Sequence, residues 1–337
     1  MQEIVINKNE AGQRFDKYLF KYFKEAPQSF VYKMLRKKNI ELNNKKATGN
    51  EKLITGDTVK LFMADETIAK FRGRLSHIED KANVIDTKVV VDNIVYEDED
   101  ILIVNKPAGI LSQKASPNDI SINEMIIEYL IQNNKLTMTD LDTFKPSVCN
   151  RLDRNTSGLI TFGKTLAGIQ DLSYGFKERT FDKYYLAVVW GAVKDSSNIS
   201  GYLTKDNKTN KVTISTKKND EASYIETAYE PLKVGNISIN NTNKSITLLK
   251  IKLITGKTHQ IRAHLSSIGH SLLGDDKYGN TSFNKELKAK YKIKYQMLHS
   301  YELHFNDTNH TKALKNVHNQ IIKAPINENF KKLFTIN

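Results

Sequence analysis

Residues 148–164 read VCNRLDRNTSGLITFGK and join a polar loop to an apolar segment. Two arginines, Arg151 and Arg154, bracket one carboxylate, Asp153, and the letters NTSG that follow are typical of a tight turn. The apolar letters LITF after this turn predict a buried strand. The stretch therefore predicts a loop at the start of a strand that presents one aspartate between two guanidinium groups.

The composition of the 337 residues is that of a globular protein with room for two domains. Hydrophobic residues make up 39% of the chain, and no apolar run approaches the roughly 18 to 20 residues that span a bilayer. The first residues carry no export signal, and a single cysteine, Cys149, cannot form an intramolecular disulfide or a multi-cysteine metal site. We therefore expect a soluble, cytoplasmic protein with no membrane partner.

The net charge of +13 points to a polyanionic partner, because clustered Lys and Arg are the electrostatic signature of nucleic-acid binding. The chain is also rich in Lys, Asn and Ile, a bias that AT-rich coding alone produces, so charge leaves the question open. Arginine is more informative, since only eight of the 51 basic residues are Arg and two of these flank Asp153. Where this Lys-rich chain has Arg instead of Lys, we expect that a planar guanidinium group able to donate two hydrogen bonds is needed.

An N-terminal module of helices and short strands is predicted within residues 11–63. Apolar residues recur at helical spacing from Phe15 onward, and Ser29 is expected to cap a second helix. Turn signals between alternating runs predict strands over residues 40–42 and 58–61. Basic residues follow the second helix and its end: Lys33, Arg36, Lys37 and Lys38. Such a row is either a solvated face or a surface that binds an anionic partner.

The rest of the chain predicts an α+β domain with an extended mixed or antiparallel sheet. Residues 66–90 lack periodicity and are interpreted as a linker or insertion. Apolar runs around an acidic turn predict a hairpin over residues 94–104, which leads into the loop 106–109. Helices are expected over residues 121–132 and 165–178. Further strands are expected over residues 184–190, 224–231 and 246–255. Because the strands do not alternate regularly with helices, a doubly wound fold is disfavoured.

A second dense cluster of polar residues lies within residues 254–279. Its GKT letters lack the glycine five residues earlier that a phosphate-binding P-loop requires. The histidines His259, His264 and His270 raise the question of zinc, but no HExxH pattern or cysteine pair supports them, so structural histidines are preferred. Arg262 stands alone among apolar residues, and we therefore expect it to be partly buried beside an anionic partner.

The letters KYYLAVV, at residues 183–189, predict a strand with two faces. Alternation places Tyr185, Ala187 and Val189 on one face of this strand. Tyr185 is either a core aromatic or a ring on which a base stacks, with its phenol in reach of a reacting group. The pattern alone leaves both interpretations open.

Together these segments resemble the RNA pseudouridine synthases typified by the bacterial ribosomal large-subunit enzymes that carry an S4 domain. The resemblance covers almost the whole chain. The segments similar to the family's four motifs are, in order, KPAG at 106–109, RLD at 151–153 with TSG at 156–158, Lys183 with Tyr185 and Ala187, and Gly256–Gly279 with its THQIR letters. Four motifs in the family's order make a chance resemblance improbable.

The resemblance implies a domain organisation and an activity. Residues 1–65 would form a small S4 (αL-like) RNA-binding domain, residues 66–90 a linker or insertion, and residues 91–337 the catalytic domain. The implied activity is the isomerisation of specific uridines to pseudouridine in RNA, above all in 23S ribosomal RNA, because the N-terminal segment is most similar to the C type of these enzymes. The implied protein is a cytoplasmic monomer that needs no cofactor and no metal.

The resemblance also implies a role for each matching residue. Asp153 would be the catalytic carboxylate, Arg262 its ion-pair partner, and Tyr185 the aromatic that stacks on the target base. Arg151 would fill the gap left by the flipped nucleotide, and Arg154 would contact phosphate. Further RNA contacts are expected from Lys106, Lys33, Arg36, Lys37 and Lys38.

Two departures from the family pattern put local RNA contacts in doubt. Asn150 stands where many relatives have histidine before the Arg-Leu-Asp triplet, and Lys257 stands where arginine is common. Neither departure removes the carboxylate or the arginine expected to pair with it.

Pseudouridine formation breaks the N1–C1′ bond of a uridine and joins C5 to C1′, without a redox change, an energy donor or a metal. One carboxylate suffices, either as a nucleophile at C1′ or C6 or as a base that takes a ribose proton, and the sequence leaves these open. A nearby cation keeps such a carboxylate ionised, which is the expected function of Arg262.

Two other classes of function remain as alternatives. A non-catalytic RNA-binding protein on an inactive enzyme fold would be favoured by loss of Asp153, Tyr185 or Arg262, and all three are present. A glycosidase needs two carboxylates in most families, whereas the motifs offer one. Ser157 as a nucleophile is disfavoured, because no histidine and aspartate are recognisable as its relay.

Overall fold

A computed structural model describes residues 1–72, 85–138, 140–206, 209–306, 308 and 311–334. These residues form a small N-terminal unit and a large mixed unit, and the large unit has the α+β class and the extended mixed sheet that the sequence predicts. Part of the predicted linker, residues 73–84, lies outside the described residues.

The N-terminal unit consists of a small sheet covered by helices. Its strands are β1 (Gln2–Val5), β2 (Ile40–Leu42), β3 (Lys45–Lys46) and β4 (Thr58–Leu61), and its helices are α1 (Phe15–Tyr22), α2 (Gln28–Arg36) and α3 (Asp65–Arg72). The strands pair in the order β1-β4-β2-β3, all antiparallel. Tyr18, Leu19 and Leu35 are buried in a core that belongs to this unit alone. The two predicted strands and the helical spacing from Phe15 are confirmed.

Two boundaries differ from the sequence-based expectation. Helix α2 begins at Gln28 with Pro27 in the N-cap position, so Ser29 lies inside the first turn and does not cap it. The proline ring fixes φ at −64°, which suits the entry to a helix directly after it. Helix α3 occupies the first part of the segment predicted as a linker, and its Ile68 is buried in the N-terminal core.

The large unit contains the remaining elements. Its helices are α4 (Lys88–Val91), α5 (Ile122–Gln132), α6 (Asp140–Thr143), α7 (Leu166–Lys177), α8 (Gln260–Ser267), α9 (Thr281–Tyr291) and α10 (Glu328–Leu333), with a 3₁₀ turn at Lys315–Val317. Its strands are β5 (Ile94–Glu97), β6 (Ile101–Lys106), β7 (Ser147–Val148), β8 (Ser157–Gly163), β9 (Phe181–Trp190), β10 (Ser197–Asp206), β11 (Lys211–Ser215), β12 (Ser223–Ile239), β13 (Thr242–Leu253), β14 (Leu298–Phe305) and β15 (Ile321–Lys323).

Eleven strands of the described residues share one sheet. Its main path is β11-β10-β12-β13-β9-β14-β8-β6-β5, with β7 paired to β8 and β15 paired to β14. The β14–β8 pair is parallel and the other pairs are antiparallel, so the sheet is mixed. Every predicted helix and strand of this unit is present, and the strands that were not predicted are β7, β10, β11, β14 and β15.

Strand β9 lies near the middle of the sheet and separates two cores. Tyr185 belongs to one core together with Ile261 and Leu265 of α8, whereas Leu186 and Val188 belong to the core on the opposite face. The predicted alternation of β9 is therefore confirmed. The start of β8, the face of β9 that carries Tyr185, and helix α8 meet on one side of the sheet.

The two units contact each other through polar side chains. Asp142 of α6 is buried and accepts hydrogen bonds from Lys24 at 3.0 Å and from Arg72 at 2.8 Å. The hydroxyl of Thr143 donates to the carboxylate of Glu10 at 2.5 Å. Across the ranges that the structure describes, no helix combines the length and the apolar character needed to cross a membrane.

Candidate active site

Asp153 lies in the loop between β7 and β8. Backbone contacts hold this loop in place where β8 begins. The amide of Thr156 donates to the carbonyl of Asp153 at 3.0 Å and closes a tight turn. Gly158 has φ +113°, and a Cβ at this position would lie 2.2 Å from the carbonyl oxygen of Ser300. Glycine is therefore required where β8 passes β14, and its backbone fixes the loop that carries Asp153.

The KPAG loop and the residues that follow it support the loop that carries Asp153. The hydroxyl of Ser112 donates to the carbonyl of Leu152 at 2.8 Å and accepts from the Leu152 amide at 3.0 Å. The amide of Gly109 donates to the carbonyl of Arg154 at 2.9 Å. These bonds lie on either side of Asp153, so the first two motifs form one structural element.

Arg262 holds Asp153 while being held itself by a second carboxylate. Its Nη1 donates to Asp153 Oδ2 at 2.9 Å, and its Nε and Nη2 donate to Asp275 at 2.7 and 2.9 Å. Asp275 is completely buried and also accepts from the amides of Lys277 and Tyr278. Burial would raise the pKa of Asp275, but Arg262 and these amides lower it, so the carboxylate remains charged. The guanidinium is thus fixed before any substrate arrives.

His259 lies near the same oxygen of Asp153 that Arg262 contacts. Its Nε2 lies 3.8 Å from Asp153 Oδ2, and its Nδ1 lies 3.0 Å from the hydroxyl of Tyr278. The residue has φ +53° at the N-cap of α8, a conformation that non-glycine residues seldom adopt. Burial lowers the pKa of His259, and the Asp153 charge only partly opposes this, so the imidazole is mainly neutral at neutral pH.

Tyr185 is buried on β9 in the core that also contains Leu152, the neighbour of Asp153. Burial raises the pKa of Tyr185 to about 12, and the negative charge of Asp153 acts in the same direction against a hydrogen bond with Ser300. The phenol therefore stays protonated at neutral pH. Asp153, Arg262 and Tyr185, from three distant segments of the sequence, are brought to one place.

Comparisons with known proteins identify the family. A family profile described as RNA pseudouridylate synthase matches residues 100–267, the range that contains Asp153, Tyr185 and Arg262. An RNA pseudouridine synthase of Mycoplasma genitalium, itself uncharacterised, is 31% identical over 310 residues, which are 90% of this chain and 88% of that protein. The chain belongs to the RNA pseudouridine synthase family. It is therefore an isomerase that acts on RNA.

Two further similarities agree with this family. The ribosomal large subunit pseudouridine synthase C of Buchnera aphidicola subsp. Acyrthosiphon pisum is 30% identical over 332 residues, 97% of this chain and 95% of that protein. The structure of human RNA pseudouridylate synthase domain containing 1 covers 72% of this chain and 86% of its own, with a TM-score of 0.53 and 21% identity. The human structure shows that the synthase shares that fold.

The arginines that flank Asp153 differ in their contacts. Arg151 is exposed and forms no ion pair with the described residues. Arg154 is also exposed, and its Nε donates to the carbonyl of Gly109 at 3.2 Å. The four basic residues predicted to bind RNA on the N-terminal unit are all exposed at the end of α2: Lys33, Arg36, Lys37 and Lys38.

Lys106 does not fit the RNA contact expected of it, because its side chain has no exposed surface. Its ammonium group donates to the carbonyls of Pro107 at 3.0 Å, Ile110 at 2.8 Å and Arg154 at 3.2 Å. Burial lowers the pKa of Lys106 to about 7, although the charge of Asp153 opposes the shift. In the synthase this lysine ties the KPAG loop to the loop that carries Asp153.

The departures from the family pattern have separate consequences. The Asn150 side chain accepts from the amide of Thr161 at 2.7 Å and donates to the carbonyl of Leu159 at 3.2 Å, so it anchors the loop to β8. Lys257 is exposed beside the N-terminus of α8, where its charge faces solvent.

The alternative chemistries find little support in the geometry. Within the described ranges, no group of three or more His, Cys, Asp or Glu residues could hold a metal ion. His264 contacts the hydroxyl of Thr227, as a structural histidine does. Ser157 does have a histidine partner that the sequence did not reveal, since its hydroxyl lies 2.9 Å from His299 Nδ1. His299 Nε2 has no hydrogen-bond partner among the described residues, and burial lowers the pKa of His299 to about 4. The relay therefore lacks the carboxylate that would orient it.

Sequence reasoning missed Asp275 and the position of His259. An isolated Arg262 among apolar residues predicted one anionic partner, and the structure supplies two. The letters GDDKYG contain the second partner, but they do not distinguish buried Asp275 from exposed Asp276. The sequence pattern presents His259 only as a metal ligand or a structural residue.

Proposed function

We propose that the synthase converts specific uridines of 23S ribosomal RNA to pseudouridine with Asp153 as its catalytic carboxylate. The observation that supports this assignment is the fixed pair between Asp153 and Arg262, which a buried Asp275 completes. The Asp153 side chain keeps 25% of its surface exposed, so a flipped nucleotide can reach it.

The arrangement provides what a one-carboxylate reaction needs. Arg262 favours the charged form of Asp153 and orients one of its oxygens, which leaves the other oxygen for the ribose or the base. Since Asp275 holds the guanidinium in advance, little reorganisation accompanies the reaction. This geometry suits attack at C1′ or C6 and abstraction of a ribose proton equally well.

The remaining residues of the site provide RNA contacts. Tyr185 offers an aromatic face for the uracil ring, and Arg151 is free to occupy the space that the flipped base leaves in the RNA. Arg154 extends from the same loop toward solvent and contacts a phosphate of the target strand.

We further propose that residues 1–65 are an S4 RNA-binding domain, joined by residues 66–90 to the catalytic domain of residues 91–337. A separate small core and an exposed basic row at the end of α2 support this division. Clustered cations of this kind bind the RNA backbone without reading its sequence. We also propose that the protein acts in the cytoplasm as a monomer, and that it needs no cofactor because isomerisation requires no co-reactant.

The assignment to 23S ribosomal RNA rests on similarity to proteins named as ribosomal large subunit synthases of the C type. The relative from Buchnera aphidicola aligns over 97% of this chain, the N-terminal unit included. The proposed RNA-binding unit accompanies the catalytic unit in this chain, and this arrangement supports a large, structured RNA such as ribosomal RNA as the substrate.

One experiment tests both parts of the proposal. A strain without the gene is complemented with the unaltered protein, Asp153→Asn, or the control Asp276→Asn, and pseudouridines are mapped in ribosomal and transfer RNA by mass spectrometry. The unaltered protein and the control should restore the same sites in 23S RNA, while Asp153→Asn restores none and still binds RNA. Purified Asp153→Asn should release no tritium from RNA that contains 5-tritiated uridine.

The two ways of failing are distinct. Sites restored only in transfer RNA would overturn the assignment to ribosomal RNA and leave Asp153 in place. Measurable turnover by Asp153→Asn, at a few per cent of the unaltered rate, would overturn the role of Asp153.

A further inference from the structure

An aromatic side chain that the proposed function does not use lies exposed beside the candidate site. Tyr295 stands shortly before β14, and 38% of its surface is exposed. Within the described ranges, its hydroxyl has no hydrogen-bond partner, and no other aromatic ring and no cation lies over its ring. A single exposed aromatic needs no explanation by itself, so the position of Tyr295 decides what it is for.

The backbone of Tyr295 is fixed between two loops of the site. A Cβ at Gly274 would lie 2.4 Å from the carbonyl oxygen of Tyr295, so the two backbones are in close contact. The next residue, Gln296, is buried, and its side-chain amide donates to the hydroxyl of Thr156 at 3.2 Å. Thr156 closes the turn that carries Asp153. The position of Tyr295 relative to Asp153 is therefore set by the fold.

The ring of Tyr295 lies against the KPAG loop, next to Arg154. A Cβ at Gly109 would lie 3.0 Å from the hydroxyl oxygen of Tyr295 and 3.4 Å from two carbons of its ring. The carbonyl of the same glycine accepts from Arg154 Nε at 3.2 Å. Both side chains are exposed. An uncovered aromatic ring and a guanidinium group thus stand side by side on the rim of the site, adjacent to Asp153.

A ring beside a guanidinium group matches the chemistry of one nucleotide. An aromatic ring stacks on the flat face of a base, and arginine donates hydrogen bonds to phosphate oxygens. A uridine that is drawn to Asp153 brings with it the nucleotides to which it is covalently joined. In the loops and bulges of RNA, the bases of such nucleotides are free to leave their neighbours and stack on a protein side chain.

We propose that Tyr295 stacks on the base of the nucleotide adjacent to the target uridine, while Arg154 holds a phosphate of the same strand. The proposal rests on the proposed roles of Asp153 and Arg154, and it specifies their substrate further. The target uridine lies in a loop or bulge, where its neighbour can stack. Because every base has such a face, Tyr295 contributes affinity and fixes the position of the strand, and it does not select a sequence.

The test uses the full-length protein and short RNAs built around a uridine that the unaltered protein converts. The base on the 5′ or on the 3′ side of the target is removed, and kcat and KM are measured by tritium release. On the complete RNA, Tyr295→Ala should lower kcat/KM about 5- to 100-fold, through a higher KM, because stacking stabilises the ground and transition states equally. On the RNA that lacks the stacked base, the unaltered protein should lose a similar factor and Tyr295→Ala should lose nothing further.

Two further variants separate stacking from support of the KPAG loop. Tyr295→Phe keeps the ring and should stay within about threefold of the unaltered kcat/KM, with the same dependence on the neighbouring base. Tyr224→Ala removes an exposed tyrosine of β12, which three strands of the sheet separate from β8. This variant should respond to removal of either base as the unaltered protein does.

Two results would overturn the proposal. One is a loss for Tyr295→Ala that persists when either neighbouring base is absent, because Tyr295 would then only support the loop. The other is an unchanged kcat/KM of Tyr295→Ala on the complete RNA. Conversion of uridine by Asp153→Asn would instead overturn the proposed function, and the comparison between RNAs would still report on Tyr295, so the two failures are distinguishable.

Discussion

The ammonium group of Lys106 is buried between two loops of the candidate site. Its three hydrogen bonds to carbonyls of residues 107, 110 and 154 join two loops on either side of Asp153. A buried cation without a carboxylate partner is costly unless such dipoles surround it. The lysine is therefore placed to set the position of Asp153 relative to the KPAG loop.

Lys106→Met should preserve the fold and most RNA binding but lower kcat by about tenfold to hundredfold, because a shift of about 1 Å in a reacting group costs that much. Tritium release gives the rate, and filter binding gives the affinity for RNA. Lys114→Met, an exposed lysine in the loop that follows, is the control and should change neither. A weaker affinity with kcat unchanged would instead assign Lys106 to RNA binding.

Individual site residues were predictable where a residue type was out of place in the composition. Arg262 among apolar neighbours predicted a buried ion pair, and that pair is present at 2.9 Å. The expected RNA contact of Lys106 was wrong because nothing in the sequence indicates that this lysine is buried. Its partners are backbone carbonyls, which no residue type in the sequence reveals. Asp275 escaped notice because burial distinguishes it from Asp276 only after the chain has folded.

Strand β14 holds the centre of the sheet together through one buried carboxylate. Glu302 accepts from Lys250 of β13 at 3.1 Å, Lys323 of β15 at 2.9 Å and His304 at 3.1 Å. Burial alone would raise the pKa of Glu302, but these partners outweigh it and lower the pKa to about 2. The charged form thus links three strands.

Glu302→Gln should lower the free energy of unfolding at pH 7 by on the order of 1 to 2 kcal/mol, since the hydrogen bonds then have a neutral acceptor instead of a charged one. Because the pKa is lower in the folded chain, the contribution is complete above about pH 4.5 and decreases as the pH falls toward 2. Urea unfolding at pH 7, 5 and 3 should show a difference that shrinks only at the lowest pH. Glu328→Gln, from an exposed pair with Lys331, should have almost no effect, and an equal effect would contradict the argument.

Whether a strand could be predicted from the sequence depends on how evenly its apolar and polar residues alternate. Strand β9 alternates between two cores, and its pattern was readable from the sequence. Strand β10 contains SNISGYLTKD, in which polar residues occupy both faces because the strand is largely exposed near a sheet edge. Strand β14 pairs in parallel with β8, which lies far away in the sequence, and no local pattern encodes such a partnership.

The two units of the synthase are joined by ion pairs rather than by a shared core. Asp142 of α6 is buried between Lys24 and Arg72 of the N-terminal unit, and its removal would leave two cations facing each other. The basic row at the end of α2 belongs to the N-terminal unit, whereas Asp153, Tyr185 and Arg262 belong to the large unit. We therefore expect that RNA affinity and the rate of catalysis can be changed separately in the full-length chain.

Replacing Lys33, Arg36, Lys37 and Lys38 together by Gln tests this separation without disturbing the docking at Asp142. Log affinity falls as log salt concentration rises, and each phosphate that the protein ceases to neutralise makes this slope less steep by roughly 0.7 to 0.9. Removing four cations should therefore reduce the magnitude of the slope by roughly 3. KM should rise while kcat is retained, because these cations bind the RNA equally in the ground and transition states.

A control with the same change in charge replaces Lys285, Lys288, Lys290 and Lys292 of α9 and its end by Gln. Binding titrations over a range of salt, with tritium-release kinetics, decide the result. An unchanged slope would show that the row does not contact RNA, and a collapse of kcat in the folded variant would show that the N-terminal unit helps to position the flipped uridine.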